Sequence, residues 1–153
     1  MGVFAKVADA RATEGGRYFE PDGEYVVEIQ ACKHGKTRKG IDFFVVECKI
    51  VESNIEKLPP KAECSWMVTM DKDAAPGNIN GFICAATGCA PDEVDEAGVL
   101  AIVGKEQPLA GTLIRTSTFN KPTKAGNPFT RHVWKALTEK EQKKYAEIAA
   151  SLE

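Results

Sequence analysis

Tyr25–Val51, YVVEIQACKHGKTRKGIDFFVVECKIV, holds two strand patterns and a turn between them. In its first part Tyr25, Val27, Ile29 and Ala31 alternate with Glu24, Glu28 and Gln30, the period of two expected of a half-buried strand that runs to Cys32. From Ile41 to Val51 the chain is rich in β-branched and aromatic residues and reads as a longer second strand. Alternate side chains point to opposite faces, so Phe44, Val46, Cys48 and Ile50 share one face, leaving Phe43, Val45, Glu47 and Lys49 on the other. Between the strands lies a basic turn, GKTRKG, Gly35–Gly40.

Downstream, a loop with Pro59-Pro60 leads to a third strand, Glu63–Met70, whose Cys64, Trp66, Val68 and Met70 are expected to face the core. The period then changes. Pro76 can open a helix, because its missing N–H is not needed there, and Gly88 can close it. Ile79, Phe82, Ile83 and Ala86 recur between them at helical spacing, and Val94–Val103 forms a second helical stretch ended by Gly104. Leu109–Phe119 and Phe129–Leu137 read as fourth and fifth strands around a second basic turn, NKPTKAGNP, Asn120–Pro128. Thr138-Glu139-Lys140-Glu141 is a capping box opening a last helix, whose Tyr145, Ile148, Ala149 and Leu152 form an apolar stripe. Upstream, residues 1–16 read as a flexible arm hinged at Gly15-Gly16, and residues 17–153 as one domain.

The expected fold is therefore mainly β with helices. Its order of strand, strand, strand, helix, strand, strand is that of an OB-fold, a five-stranded β-barrel with a helix between strands 3 and 4, here followed by a C-terminal helix. That fold binds oligonucleotides with the loops joining strands 1 to 2 and 4 to 5. Those are the two loops that carry the positive charge. Lys33, Lys36, Arg38 and Lys39 lie in a stretch without an acid, and so do Arg115, Lys121, Lys124, Arg131 and Lys135. These nine cations sit in a chain of formal net charge −2, so the remaining residues carry −11. Lysines in one turn are often only solvated. Two such loops at binding positions point to a polyanion.

Binding a single strand without reading its sequence needs cations along the sugar-phosphate track and aromatic faces for the bases. Lys33, Lys36, Arg38 and Lys39 are placed to grip from one side and Lys121 and Lys124 from the other, with Arg115, Arg131 and Lys135 between them. Phe129 is the first stacking candidate, followed by Phe43 and Phe119; Trp66 and Trp134 are assigned to the core.

Other classes find little support. At 153 residues the chain is long enough for one well-buried core. No apolar run approaches the ~20 residues that span a bilayer, and the first residues lack the apolar centre of a secretory signal. Met1-Gly2 is followed at position six by Lys6, which breaks the myristoylation pattern. The chain is expected in the cytoplasm. Five cysteines form no CxxC, so free buried thiols are expected rather than a disulfide. Cys32 and His34 form a lone candidate ligand pair without a second pair at zinc spacing, so no metal and no cofactor are assigned. His34 and His132 have no nucleophile or acid partner in sequence, and Asp92, Glu93, Asp95 and Glu96 suit a helix start better than a nuclease centre. The protein is not expected to be an enzyme.

With this order in place, GEYVVEIQ (Gly23–Gln30), IDFFVVECKIVES (Ile41–Ser53), PGNINGFICAATG (Pro76–Gly88), VGKEQPLAGTLIRTSTF (Val103–Phe119) and the Phe129-to-Trp134 strand can be taken together. From about Gly15 to Leu137 the chain resembles a bacteriophage single-stranded-DNA-binding protein of the small OB-fold type. The resemblance implies cooperative or dimeric coating of single-stranded DNA during phage replication and recombination, alongside replication or recombination proteins in the host cytoplasm. The chain departs from such proteins at its end. KKYAEIAASLE reads as helix rather than as the flexible acidic tail that recruits partners. The alternative is an OB-type protein–protein interaction module, a replication accessory or virion component, whose binding would not fall steeply with salt.

Overall fold

The β-branched and aromatic density around the first basic turn builds the longest hairpin of the molecule. The computed structural model describes residues 17–120 and 130–152. Its strands are β1 (Arg17–Tyr18), β2 (Glu24–Lys36), β3 (Asp42–Ser53), β4 (Glu63–Thr69), β5 (Leu113–Asn120) and β6 (Thr130–Ala136). Helices α1 (Ala75–Thr87) and α2 (Glu96–Ile102) lie between β4 and β5, after which α3 (Glu139–Ser151) follows β6. The sheet order is β1-β4-β3-β2-β5-β6. All neighbours are antiparallel except β1, which pairs parallel with β4 through Arg17 opposite Cys64 and Tyr18 opposite Ser65.

The mainly-β architecture with a five-stranded antiparallel sheet is as expected, but the sheet does not close into a barrel. Among the described residues no ladder joins β4 to β6, and the five antiparallel strands remain an open sheet. Side chains fill the seam instead. Phe19, directly after β1, places its ring 4.9 Å from that of His132 and 6.3 Å from that of Trp134, both on β6. Trp134 in turn lies 5.1 Å from Trp66 on β4 and 4.9 Å from Phe82 on α1.

β2 changes its alternation once, at Gln30. The ladder with β3 slips between Val26 and Val27 and again between Ile29 and Ala31. Each slip is a bulge: the first places its extra residue, Val51, on β3, and the second places Gln30 on β2, so only the β2 side chains after Gln30 change face. Tyr25, Val27 and Ile29 therefore face the main core as expected, but Ala31 turns away and Cys32 takes its place, fully buried. β2 leaves β5 where Ile29 exchanges hydrogen bonds with Gly111 and Thr112. Beyond that point the Gln107 side chain acts as a substitute strand: its Oε1 accepts from the Cys32 N–H and its Nε2 donates to the Cys32 carbonyl. The expected strand start at Leu109 is for this reason a turn; β5 begins at Leu113, and Leu109 is tucked into the core.

Two apolar clusters use the two sides of the sheet. The larger joins Phe44, Val46, Cys48, Ile50, Cys64, Trp66 and Val68 to Ala75, Ile79, Phe82 and Ile83 of α1 and Ile102 of α2. Met70, expected there, is instead 42% exposed at the end of the hairpin. The smaller cluster holds Val26, Val51, Leu113 and Leu137 under Tyr145 of α3, with Ile148 and Ala149 packed beside them. The apolar stripe of the last helix thus serves as the floor of a second core. Its capping box is formed: the Thr138 hydroxyl accepts from the Glu141 N–H, and the Glu141 carboxylate accepts from the Thr138 N–H. No helix among the described residues is long and apolar enough to cross a membrane.

Candidate nucleic-acid interface

The first basic turn is tight because of its glycine. The Gly40 N–H donates to the Thr37 carbonyl, the Thr37 N–H donates to the Ile41 carbonyl, and Gly40 sits at φ 81°, a conformation that favours glycine. Arg38 and Lys39 occupy its exposed apex. Lys33 and Lys36 stand lower on the hairpin, and both have acid partners. Lys33 Nζ is 2.7 Å from Glu47 Oε1, and Lys36 Nζ is 3.2 Å from Asp42 Oδ1. The stretch has no acid in sequence, but the neighbouring strand supplies two in space.

Phe43 lies opposite Gly35 on the side of the sheet away from the main core. A Cβ at Gly35 would come within 2.9 Å of the Phe43 ring, so the ring rests on bare backbone and stays half-exposed. The second hairpin has the same ingredients. On the outer side of β5 and β6, Arg115 pairs with Lys135, Ser117 with Val133 and Phe119 with Arg131. Phe119 is 46% exposed, with Arg131 exposed opposite it and Lys135 exposed further along β6. Arg115 is differently placed: its Nη2 donates to Glu141 Oε2 at 2.6 Å, tying β5 to α3. Lys121, Lys124 and Phe129 lie outside the described residues.

The inner side of the same strands is core. Thr116 Oγ1 and His132 Nδ1 are 3.0 Å apart, and burial among aromatic rings lowers the His132 pKa to about 3. Trp66 and Trp134 belong to this cluster, as expected. The Trp134 Nε1 is buried without a hydrogen-bond partner among the described residues. Cys32, Cys48 and Cys64 are buried, Cys84 and Cys89 half-buried, and none is in a disulfide. Burial pushes the Cys32 thiol up to about 12, which makes it a poor partner for His34 in holding a metal. Among the described residues no three His, Cys, Asp or Glu side chains come together as a metal site.

The two hairpins leave opposite ends of β2. β5 runs from Leu113 opposite Glu28 to Ser117 opposite Glu24, so Phe119 and its partner Arg131 lie beyond the start of β2, whereas Arg38 and Lys39 lie beyond its end. A straight strand of 13 residues spans about 43 Å, and the bulge at Gln30 bends this one. No compact anion can touch both groups, but a linear one can. Sequence reasoning passed over Tyr18, which is 47% exposed on β1. A two-residue strand is too short to show a period, so nothing in the sequence distinguished Tyr18 from the buried Phe19 beside it. The chain matches no known family model and no curated protein.

Proposed function

We propose that this protein binds single-stranded DNA without sequence preference, through an OB-type sheet whose two basic hairpins hold the sugar-phosphate chain at either end. One observation carries this reading: exposed cations stand at both ends of β2, and each group has a solvent-accessible aromatic ring beside it, the half-exposed Phe43 at one end and the exposed Phe119 at the other. Cations alone would suit any polyanion. Accessible rings suit unpaired bases, which can stack on them where duplex bases cannot. OB-folds are partly open barrels, and an open seam between β4 and β6 fits that description. The resemblance to phage single-stranded-DNA-binding proteins supplies the setting, coating of single strands in replication and recombination, and gives the protein a binding role rather than a catalytic one.

The ion pairs of Lys33 and Lys36 favour a second reading, in which the hairpins contact a protein and their charge is largely satisfied internally. One titration separates the two. Labelled oligo-dT and the corresponding duplex are bound at two salt concentrations. The single-strand reading expects preference for oligo-dT and a steep fall with salt, because neutralised phosphates release counterions. Absence of binding at low salt favours the interaction module, and equal affinity for duplex leaves only a charged surface.

A further inference from the structure

We infer that Tyr18 is the central base-stacking platform of this interface, on the route that a strand takes between the two hairpins; the inference rests on the single-strand reading above. Paired residues share a face, so the ladder sets Tyr18, Ser65, Glu47 and Ala31 in one row on the side of the sheet that carries Phe43. Phe19, the next residue, turns inward and is 5% exposed, with its ring against those of Tyr25, His132 and Trp134. This anchor fixes β1 in the seam, beside β4 by its ladder and beside β6 by its rings. It holds the Tyr18 ring outward before any ligand arrives, which lowers the ordering cost of binding.

Among the described residues, one of the two ways across the outer face from one hairpin to the other is blocked. Over the first part of β2 the outer face is covered by α3, which packs on Val26, Val51 and Leu113. The other way runs from Phe43 past the half-exposed Met67 on β4, across Tyr18 on β1, to Phe119 and Arg131. Tyr18 lies two rows and two strands from Phe43, about 17 Å, so the two rings would serve different bases. The acid in its row, Glu47, is paired with Lys33 at 2.7 Å.

The test compares Tyr18→Ala, Tyr18→Leu and Tyr18→Phe with the unaltered protein in binding oligo-dT, with thermal melting of each free protein. Loss of one stacked base predicts affinity about 5- to 150-fold weaker for Tyr18→Ala and Tyr18→Leu at an unchanged salt slope, with Tyr18→Phe close to the unaltered protein. Tyr18→Leu keeps an apolar side chain on β1, so it carries the comparison if Tyr18→Ala melts early. Photo-crosslinking with 5-iododeoxyuridine in the oligo-dT should mark Tyr18. Full affinity in Tyr18→Leu, or crosslinks that avoid Tyr18, overturns the inference while the single-strand reading stands. Failure of the unaltered protein to bind oligo-dT overturns that reading and the inference with it.

Discussion

The ring of Phe19 meets that of His132 edge-on, with centroids 4.9 Å apart and planes at 86°, and so links β1 to β6 where no backbone ladder does. His132 is stacked on Trp134 at 14°, and Trp134 reaches Trp66 and Phe82. The sheet is therefore shut by rings rather than by hydrogen bonds. Edge-to-face pairs of this kind add to the burial of the rings themselves. Their positions decide where β1 lies, and with it whether an outer face continuous from β3 to β6 exists.

Phe19→Ala should destabilise the protein by about 3–5 kcal/mol, as truncation of a buried aromatic does. It should also raise hydrogen exchange at the β1 and β4 amides before the rest of the sheet. Urea unfolding and exchange measured by mass spectrometry check this. A loss below ~1 kcal/mol, with β1 still protected, would show that the seam is held by something other than this ring.

His132 should make stability fall on mild acidification. Burial lowers its pKa from 6.5 to about 3, so the unfolded chain takes up a proton that the folded one refuses. The contribution is complete above pH 6.5 and is lost as pH falls from there towards 3, at up to ~1.4 kcal/mol per pH unit. Between pH 6.5 and 5, where most carboxylates are still ionised, His132→Gln should flatten the dependence of the melting temperature on pH. An equal slope in both proteins would remove His132 as its source.

Arg115 and Arg131 should separate in their roles. Arg115 holds Glu141 of α3, whereas Arg131 is exposed opposite Phe119. Arg131→Ala should lower the salt slope of oligo-dT binding by ~0.7, one phosphate contact; Arg115→Ala should lower the melting temperature and leave that slope nearly unchanged. The Thr138 N–H, and then Arg115, hold the Glu141 carboxyl below its ordinary 4.5. The Arg115 effect on melting is therefore present above pH 4.5 and disappears as pH falls through the lowered value. A slope change for Arg115→Ala as large as that for Arg131→Ala would return Arg115 to the interface.

The order of elements was legible because each rests on local chemistry: alternation in β3 and β4, Pro76 and Gly88 bounding α1, the capping box before α3. What escaped the sequence depends on contacts between distant segments. The bulge near Gln30 that exchanges Ala31 for Cys32 is forced by pairing with β3 and by the Gln107 amide, which lies 75 residues away from Cys32. The open seam and the role of Phe19 required knowing that β6 stops short of β4. The candidate cations were found by composition, but composition could not show that Asp42 and Glu47 face Lys36 and Lys33 across the hairpin.

Those two acids give the sharpest test of the hairpin. If a strand passes over it, Asp42 and Glu47 compete with phosphate for Lys36 and Lys33. Asp42→Asn with Glu47→Gln should then strengthen oligo-dT binding at low salt and steepen the salt slope by up to ~1.4, two further phosphate contacts at ~0.7 each. Removing two negative charges anywhere raises affinity somewhat through the overall field, so a control with the same charge change is needed. Asp92→Asn with Glu147→Gln, exposed acids in the turn before α2 and in α3, provides it. At physiological salt the Debye length is about 8 Å, and distant exposed charges are largely screened. The hairpin pair should therefore exceed the control clearly at ~0.15 M salt. Equal effects of the two double variants would mean that only net charge matters and that Lys33 and Lys36 do not touch the strand. A tighter, steeper titration in the hairpin variant alone places phosphate between these lysines and shows that β3 holds the affinity of the unaltered protein in check.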